Sequence, residues 1–141
     1  MAPVRVAVIG GGPSGIFFCH AAEQQKRDRQ AGSHELEVTC FEAAQSPGGV
    51  WRTAEPDKDE AKIYDELWTN GPSHAIEFYD YHFDDHFRQG TSETSPPRVP
   101  VYLPRRDVQE YILGRVTKDH PLFFDEYFEF DTKVVWGPTT K

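Results

Sequence analysis

Three things are scarce in this 141-residue chain: cysteine, excess positive charge and long apolar runs. It has two cysteines, Cys19 and Cys40, and neither a Cys-x-x-Cys nor a Cys-x4-Cys. A dithiol redox motif is therefore absent, and buried reduced thiols are the better reading of the pair. Fifteen Lys and Arg face 23 Asp and Glu, a net charge of −8. That balance argues against nucleic acid, which needs a basic surface. It leaves a dinucleotide open, because backbone amides rather than bulk charge grip a pyrophosphate. No apolar stretch approaches the roughly 20 residues of a membrane helix. No basic-then-apolar leader precedes the first apolar residues, so the expectation is a cytoplasmic protein with no membrane segment. By length, residues 1–141 make one domain with a real core.

What the chain does have is a glycine cluster near its start. Val4-Arg5-Val6-Ala7-Val8-Ile9 is a short apolar run, and Gly10-Gly11-Gly12-Pro13-Ser14-Gly15 follows it. Ile16-Phe17-Phe18 then opens an apolar, helix-like stretch. The order reads as buried strand, tight turn, helix. Glycines at 10, 12 and 15 have the G-x-G-x-x-G spacing. Gly10 permits the turn, Gly12 lets a pyrophosphate approach the backbone, and Gly15 lets helix and strand pack closely. The free N–H groups and the helix dipole then hold the phosphates without a lysine.

A second strand, Leu36 to Phe41, ends at Glu42. An acid at that position accepts hydrogen bonds from ribose hydroxyls in the dinucleotide fold. It stands 27 positions after Gly15 (42 − 15), beyond the usual spacing of about 20. The polar stretch from Gln24 to His34 absorbs the excess as a longer helix and loop. A surface carboxylate is the plainer alternative. A free acid here disfavours a ribose 2′-phosphate, so this site suits FAD or NAD rather than NADP.

The first helix is expected from Pro13 to Arg29, with Ile16, Phe17, Cys19 and Ala21 inward and a solvated end from Glu23. Gly48-Gly49 suggests another close approach of backbone to ligand. Residues 31–34, 54–63 and 88–98 read as loops. A helix is expected over Arg105 to Lys118, with Val108, Tyr111, Ile112 and Val116 on its inner face. Asp119-His120-Pro121 stops it. Phe128 and Phe130 alternate with Glu129 and Asp131 as a strand, which Lys133 to Trp136 extends or follows. His82 and His86, with Asp80, Asp84 and Asp85 nearby, have spacing that a divalent metal could use on a helix. The aromatic surroundings and absent cysteine ligands argue for a structural segment instead, and no metal is expected.

Gly-x-Gly-Pro-Ser-Gly at residues 10–15, Phe41-Glu42 and Gly48-Gly49-Val50-Trp51 together resemble the amino-terminal part of the flavin-containing monooxygenase family. Tyr64-Asp65-Glu66-Leu67-Trp68-Thr69-Asn70-Gly71-Pro72 is similar to that family's Thr-Asn segment. Phe78-Tyr79-Asp80-Tyr81-His82-Phe83 is similar to its Phe-x-Asp-Phe-x-Phe segment. The resemblance implies an α/β, Rossmann-like FAD/NAD(P)-binding fold of three layers, incomplete here and lacking the NADPH-binding domain. It implies FAD and NADPH as cofactors, with dioxygen and a small nucleophilic amine or sulfur compound as reactants through a flavin C4a-hydroperoxide. By position, Gly10, Gly11, Gly12, Pro13 and Ser14 would cradle the FAD pyrophosphate, with Gly15 serving packing. Glu42 would bind the adenosine ribose, and Val50 and Trp51 would line the flavin. Thr69, Asn70 and Gly71 would meet flavin and nicotinamide, with Asn70 as the catalytic candidate, since its amide both donates and accepts. A turn residue before Gly71-Pro72 is the plainer reading of Asn70. Val135 is similar to a strand valine that meets adenine. Ser73-His74 and His82 depart from the family pattern. Two other readings remain: another two-dinucleotide flavin oxidoreductase, or a non-catalytic FAD- or NAD-binding module.

Overall fold

The computed structural model of the chain describes residues 3–28, 35–52, 66–88 and 99–135. The expected loops at 31–34 and 54–63, most of that at 88–98, and Tyr64, Asp65 and Trp136 lie outside the described residues. In chain order the elements are β1 (Val4–Ile9), α1 (Pro13–Arg27), β2 (Leu36–Phe41), α2 (Phe83–Arg88), α3 (Arg105–Thr117), α4 (Phe123–Tyr127) and β3 (Phe128–Glu129). Short 3-10 turns cover Gly49–Trp51 and Ser73–Ala75. The chain divides into two compact units, residues 1–49 with 119–141, and residues 50–118.

The first unit is a parallel three-stranded sheet in the order β1-β2-β3. β1 and β2 run in register from Val4 opposite Leu36 to Ile9 opposite Phe41. A parallel pair needs a crossover, and α1 supplies it. Pro13 suits the first helical position, where its missing N–H would have had no partner. Ile16, Cys19 and Ala22 are buried on α1, and Val38 and Cys40 on β2. Ala21, expected inward, is exposed.

Three features of this unit differ from expectation. β1 is largely open: Val4 is 44% and Ile9 70% exposed, and Val6 to Ile9 line a cleft instead of a packed layer. Glu23, expected in solvent, is buried. Its Oε1 takes Arg27 at 2.7 Å, and His120 Nδ1 at 2.6 Å ties α1 to the segment before α4. The residues before β3 form the short helix α4. Phe123 and Tyr127, four apart, bury one face of it, and burial drives a helix too short to stand by propensity. The Tyr127 hydroxyl is pushed up to about 12, chiefly by that burial.

The second unit packs around Tyr111 of α3. Its ring stacks on Phe83 at 3.8 Å, Phe78 at 5.0 Å and Tyr81 at 5.2 Å between centroids. Its hydroxyl donates to the Tyr81 carbonyl and accepts the Phe78 N–H at 2.8 Å. Burial pushes that hydroxyl up to about 12. The inner face expected for α3, Val108, Tyr111, Ile112 and Val116, is buried. The histidines considered for a metal are engaged elsewhere. His86 Nδ1 meets the Tyr81 hydroxyl at 2.9 Å, and His82 Nδ1 meets Glu77 at 3.3 Å.

Arg115 grips Asp80 in a two-pronged pair, at 3.1 and 2.9 Å. That bond holds the Asp80 carboxyl below its ordinary 3.8. Asp80→Asn is expected to cost about 1 kcal/mol at neutral pH. The deficit should close as pH falls below 3.8, because the carboxylate protonates through its lowered value and loses the pair in the parent protein too. Thermal melts of both proteins across that range check this. A deficit that stays constant with pH would reject the charge pairing.

Candidate functional site

The glycine turn is built by contacts between backbones. Gly10 adopts φ 99°, a region that favours glycine, and its N–H still bonds the Phe41 carbonyl at 2.9 Å. The chain thus leaves β1 sharply while its last ladder bond to β2 is kept. Gly12 is the extended residue that starts α1, and its carbonyl accepts the Ile16 N–H at 3.0 Å. A Cβ on Gly15 would fall 2.1 Å from the Gly10 carbonyl oxygen. Helix and strand are therefore as close as two backbones allow.

Glu42, at the end of β2, reaches back to this turn. Its Oε2 accepts the Gly11 N–H at 2.5 Å, and its Oε1 accepts the Ala44 N–H at 2.7 Å. Its own main chain is fixed by Glu129 and Thr132 beside β3. The carboxylate is thereby held in one place from three directions.

The second glycine pair also closes on the first. Gly48 donates to the Gly11 carbonyl at 2.8 Å. Gly49, at φ 57°, lies so near that its Cβ would come within 2.8 Å of Gly12 Cα. The sequence suggested an approach of this pair to a ligand; what the fold shows is its approach to the first turn. A Cβ on Gly12, by contrast, would meet nothing nearer than 3.8 Å. The turn opens on a cleft of about 580 Å³ lined by Gly10, Gly12, Pro13, Ser14, Gly15 and Phe18 with the adjoining length of β1. The first turn of α1 points its N–H groups out of the helix without intrahelical acceptors.

The remaining candidates belong to the second unit. Thr69 is fully committed: its N–H bonds the Leu103 carbonyl at 2.9 Å, and its Oγ1 accepts the Leu103 N–H at 3.0 Å. Ser73 N–H bonds Val101 at 2.7 Å, so residues 69–73 are laced to the chain before α3. Asn70 stands exposed within that laced segment, and Gly71 has open space around it. Val50 is exposed. The Trp51 carbonyl accepts Arg105 Nη1 at 2.5 Å, while the Arg105 N–H bonds Leu67 at 2.8 Å.

Arg105 was missed as a positioning residue. It is 3% exposed and joins the Trp51 and Leu67 segments. One signal was available: a cation in the first turn of α3 opposes the helix dipole, so its place there needs another reason.

A glycine turn between a parallel strand and a helix, with an acid at the end of the next strand, defines a Rossmann-type dinucleotide-binding unit. The family model described as flavin-binding monooxygenase-like matches residues 3–136, and the chain belongs to that family. Trimethylamine monooxygenase of Pelagibacter sp. (strain HTCC7211) is 36% identical over 93% of this chain and 28% of its own length. Flavin-containing monooxygenase 5 of Oryctolagus cuniculus is 38% identical over 95% of this chain and 21% of its own. Among solved structures, Tmm from Pelagibacter sp. strain HTCC7211 superposes with a TM-score of 0.72 at 34% identity, over 94% of this chain and 28% of that one. S-allyl-L-cysteine S-oxygenase from Allium sativum gives 0.59 at 25% identity, over 95% and 29%. The chain thus spans under a third of the relatives it matches. No helix among the described residues is long and apolar enough to cross a membrane.

Two expectations follow for the protein without ligand. Glu42→Gln turns one amide hydrogen toward a backbone donor and should cost about 1–3 kcal/mol, read by urea denaturation. Unchanged stability would show that the turn does not depend on the carboxylate. Asn70→Ala should leave stability within about 0.5 kcal/mol, as for an exposed side chain. A larger loss in the same assay would make Asn70 a turn residue first.

Proposed function

We propose that this chain is the FAD-binding portion, residues 1–141 together, of an NADPH-dependent flavin monooxygenase that oxygenates soft nucleophiles, an amine nitrogen or a sulfur. The observation that carries the reading is the pairing of an open glycine turn with a carboxylate fixed beside it. The turn fits a pyrophosphate in two respects: free N–H groups at the start of α1, and clearance where a side chain at Gly12 would project. In this reading Gly10, Gly12, Pro13 and Ser14 surround the phosphates, Gly11 gives its N–H to Glu42 and serves the turn, and Gly15 sets the closeness of helix to strand. Glu42 accepts from the ribose hydroxyls. By the family pattern Val50 and Trp51 would line the flavin, and Thr69, Asn70 and Gly71 would meet it.

Bound FAD would supply the redox chemistry, taking electrons from NADPH and passing them to dioxygen. The protein's part is to bind, orient and exclude water. Asn70 suits the orienting role because its amide offers a donor and an acceptor from one planar group. Relatives named trimethylamine monooxygenase and S-allyl-L-cysteine S-oxygenase act on an amine and a sulfur compound, and they support that substrate class.

Titration of the purified chain with FAD tests the proposal, with flavin fluorescence as the readout. Saturable binding is expected, and Gly12→Val should abolish it. A Cβ at Gly12 has clearance, so the valine protein is expected to fold, and circular dichroism should match the parent. Equal FAD affinity in the two proteins would remove the phosphate site. Binding of NAD in place of FAD would turn the reading to a simple dehydrogenase.

A further inference from the structure

One short stretch, Val101 to Arg105, holds both segments that carry the site candidates of the second unit. The Val101 carbonyl accepts the Ser73 N–H at 2.7 Å. Leu103 exchanges two bonds with Thr69: its carbonyl accepts the Thr69 N–H at 2.9 Å, and its own N–H donates to Thr69 Oγ1 at 3.0 Å. Pro104 stands opposite Trp68 in an antiparallel bridge. Arg105 closes the stretch with two bonds of different kinds. Its main-chain N–H donates to the Leu67 carbonyl at 2.8 Å, and its guanidinium Nη1 donates to the Trp51 carbonyl at 2.5 Å. The segment with Thr69, Asn70 and Gly71 is thus held mainly by backbone, and the turn with Val50 and Trp51 is tied to the same stretch by a side chain.

We propose that Arg105 is a positioning residue for the flavin reaction. Its guanidinium keeps the Val50-Trp51 turn at a set spacing from the Thr69-Asn70-Gly71 segment, so that both meet the flavin together. The inference rests on the reading above that both segments touch FAD. In that reaction Asn70 must face a flavin that Val50 and Trp51 line, and a misplacement of about 1 Å can cost roughly a hundredfold in rate.

Packing alone does not account for an arginine here. Arg105 is 3% exposed, and a buried cation is costly unless its donors are met. An apolar side chain would fill the space without that cost. A second cost comes from the α3 dipole, which a cation in the first helical turn opposes. What arginine offers in return is a planar fork whose donors point in fixed directions. The Leu67 bond could be made by any residue with a main-chain N–H. The Trp51 bond needs a long side chain with a donor at its end.

The test compares Arg105→Met, which keeps an apolar chain and loses the donors, with Arg105→Lys, which keeps a charged donor. Hydrogen exchange read by mass spectrometry should rise several-fold at residues 50–52 and 66–73 in Arg105→Met, stay as in the parent at residues 78–83, and return toward the parent in Arg105→Lys. With FAD added, Arg105→Met should bind with the parent's affinity, because the phosphate and ribose contacts of that reading lie on Gly12 and Glu42. It should nevertheless lose most of the visible circular dichroism of the bound flavin, and Arg105→Lys should regain it. Exchange that rises throughout residues 66–88, as in a protein that fails to fold, would make Arg105 a general support and overturn the proposal. Parent-like exchange in Arg105→Met would overturn it too. So would flavin dichroism that is unchanged by methionine or not restored by lysine. A parent protein that takes up no FAD would overturn the nucleotide reading and the role drawn from it, while the exchange pattern still decides whether Arg105 ties the two segments.

Discussion

The first unit depends on how close α1 comes to the end of β1. At Gly15 the approach leaves no room for even a methyl group, because the Gly10 carbonyl occupies that space. From this single constraint several others follow. The chain must turn at once after Ile9, which Gly10 does at a positive φ. The start of α1 must then face outward over the strand end, and its unbonded N–H groups open on the cleft. A larger residue at 15 would push the helix away and spoil the turn as a binding surface as well as a packing joint.

That joint was legible because its parts are local. G-x-G-x-x-G, the apolar run before it and the proline at the first helical position act within a few residues, and each has a backbone reason. β2 ended where Glu42 was expected, and α3 buried the stripe that its spacing marked. What escaped the sequence was pairing over distance. Glu23 reads as a solvated helix residue until His120, 97 positions on, is brought against it. That Gly49 stands against Gly12 is likewise absent from the local spacing. α4 was invisible for another reason: five residues carry too little periodicity to signal a helix, and burial of Phe123 and Tyr127 decides the matter.

The second unit shows the same division. The segment from Phe78 to Phe83 is dense in aromatic rings. Much of that density proves to be internal: Phe78, Tyr81 and Phe83 stack on Tyr111 and form a core. Among the described residues of this unit no strand is paired into a sheet, and rigidity comes from stacked rings and a hydroxyl bonded on both sides. On that base the Thr69–Leu103 bonds hold an exposed asparagine in a fixed segment. Rigid support under a polar side chain is what an orienting role requires.

Glu42 is where structure and proposed function meet, and the two do not compete. An ionised carboxylate has about four acceptor positions. The turn uses two of them, one for Gly11 and one for Ala44. The others would serve sugar hydroxyls under the proposed function. The backbone bonds are made before any nucleotide arrives, so the carboxylate loses no rotational freedom on binding it. An acid that only held the turn could have been replaced by an asparagine or serine cap. One that only bound ribose would have no need to touch Gly11. The carboxylate suits both tasks because each oxygen keeps an acceptor position beyond the one the turn uses.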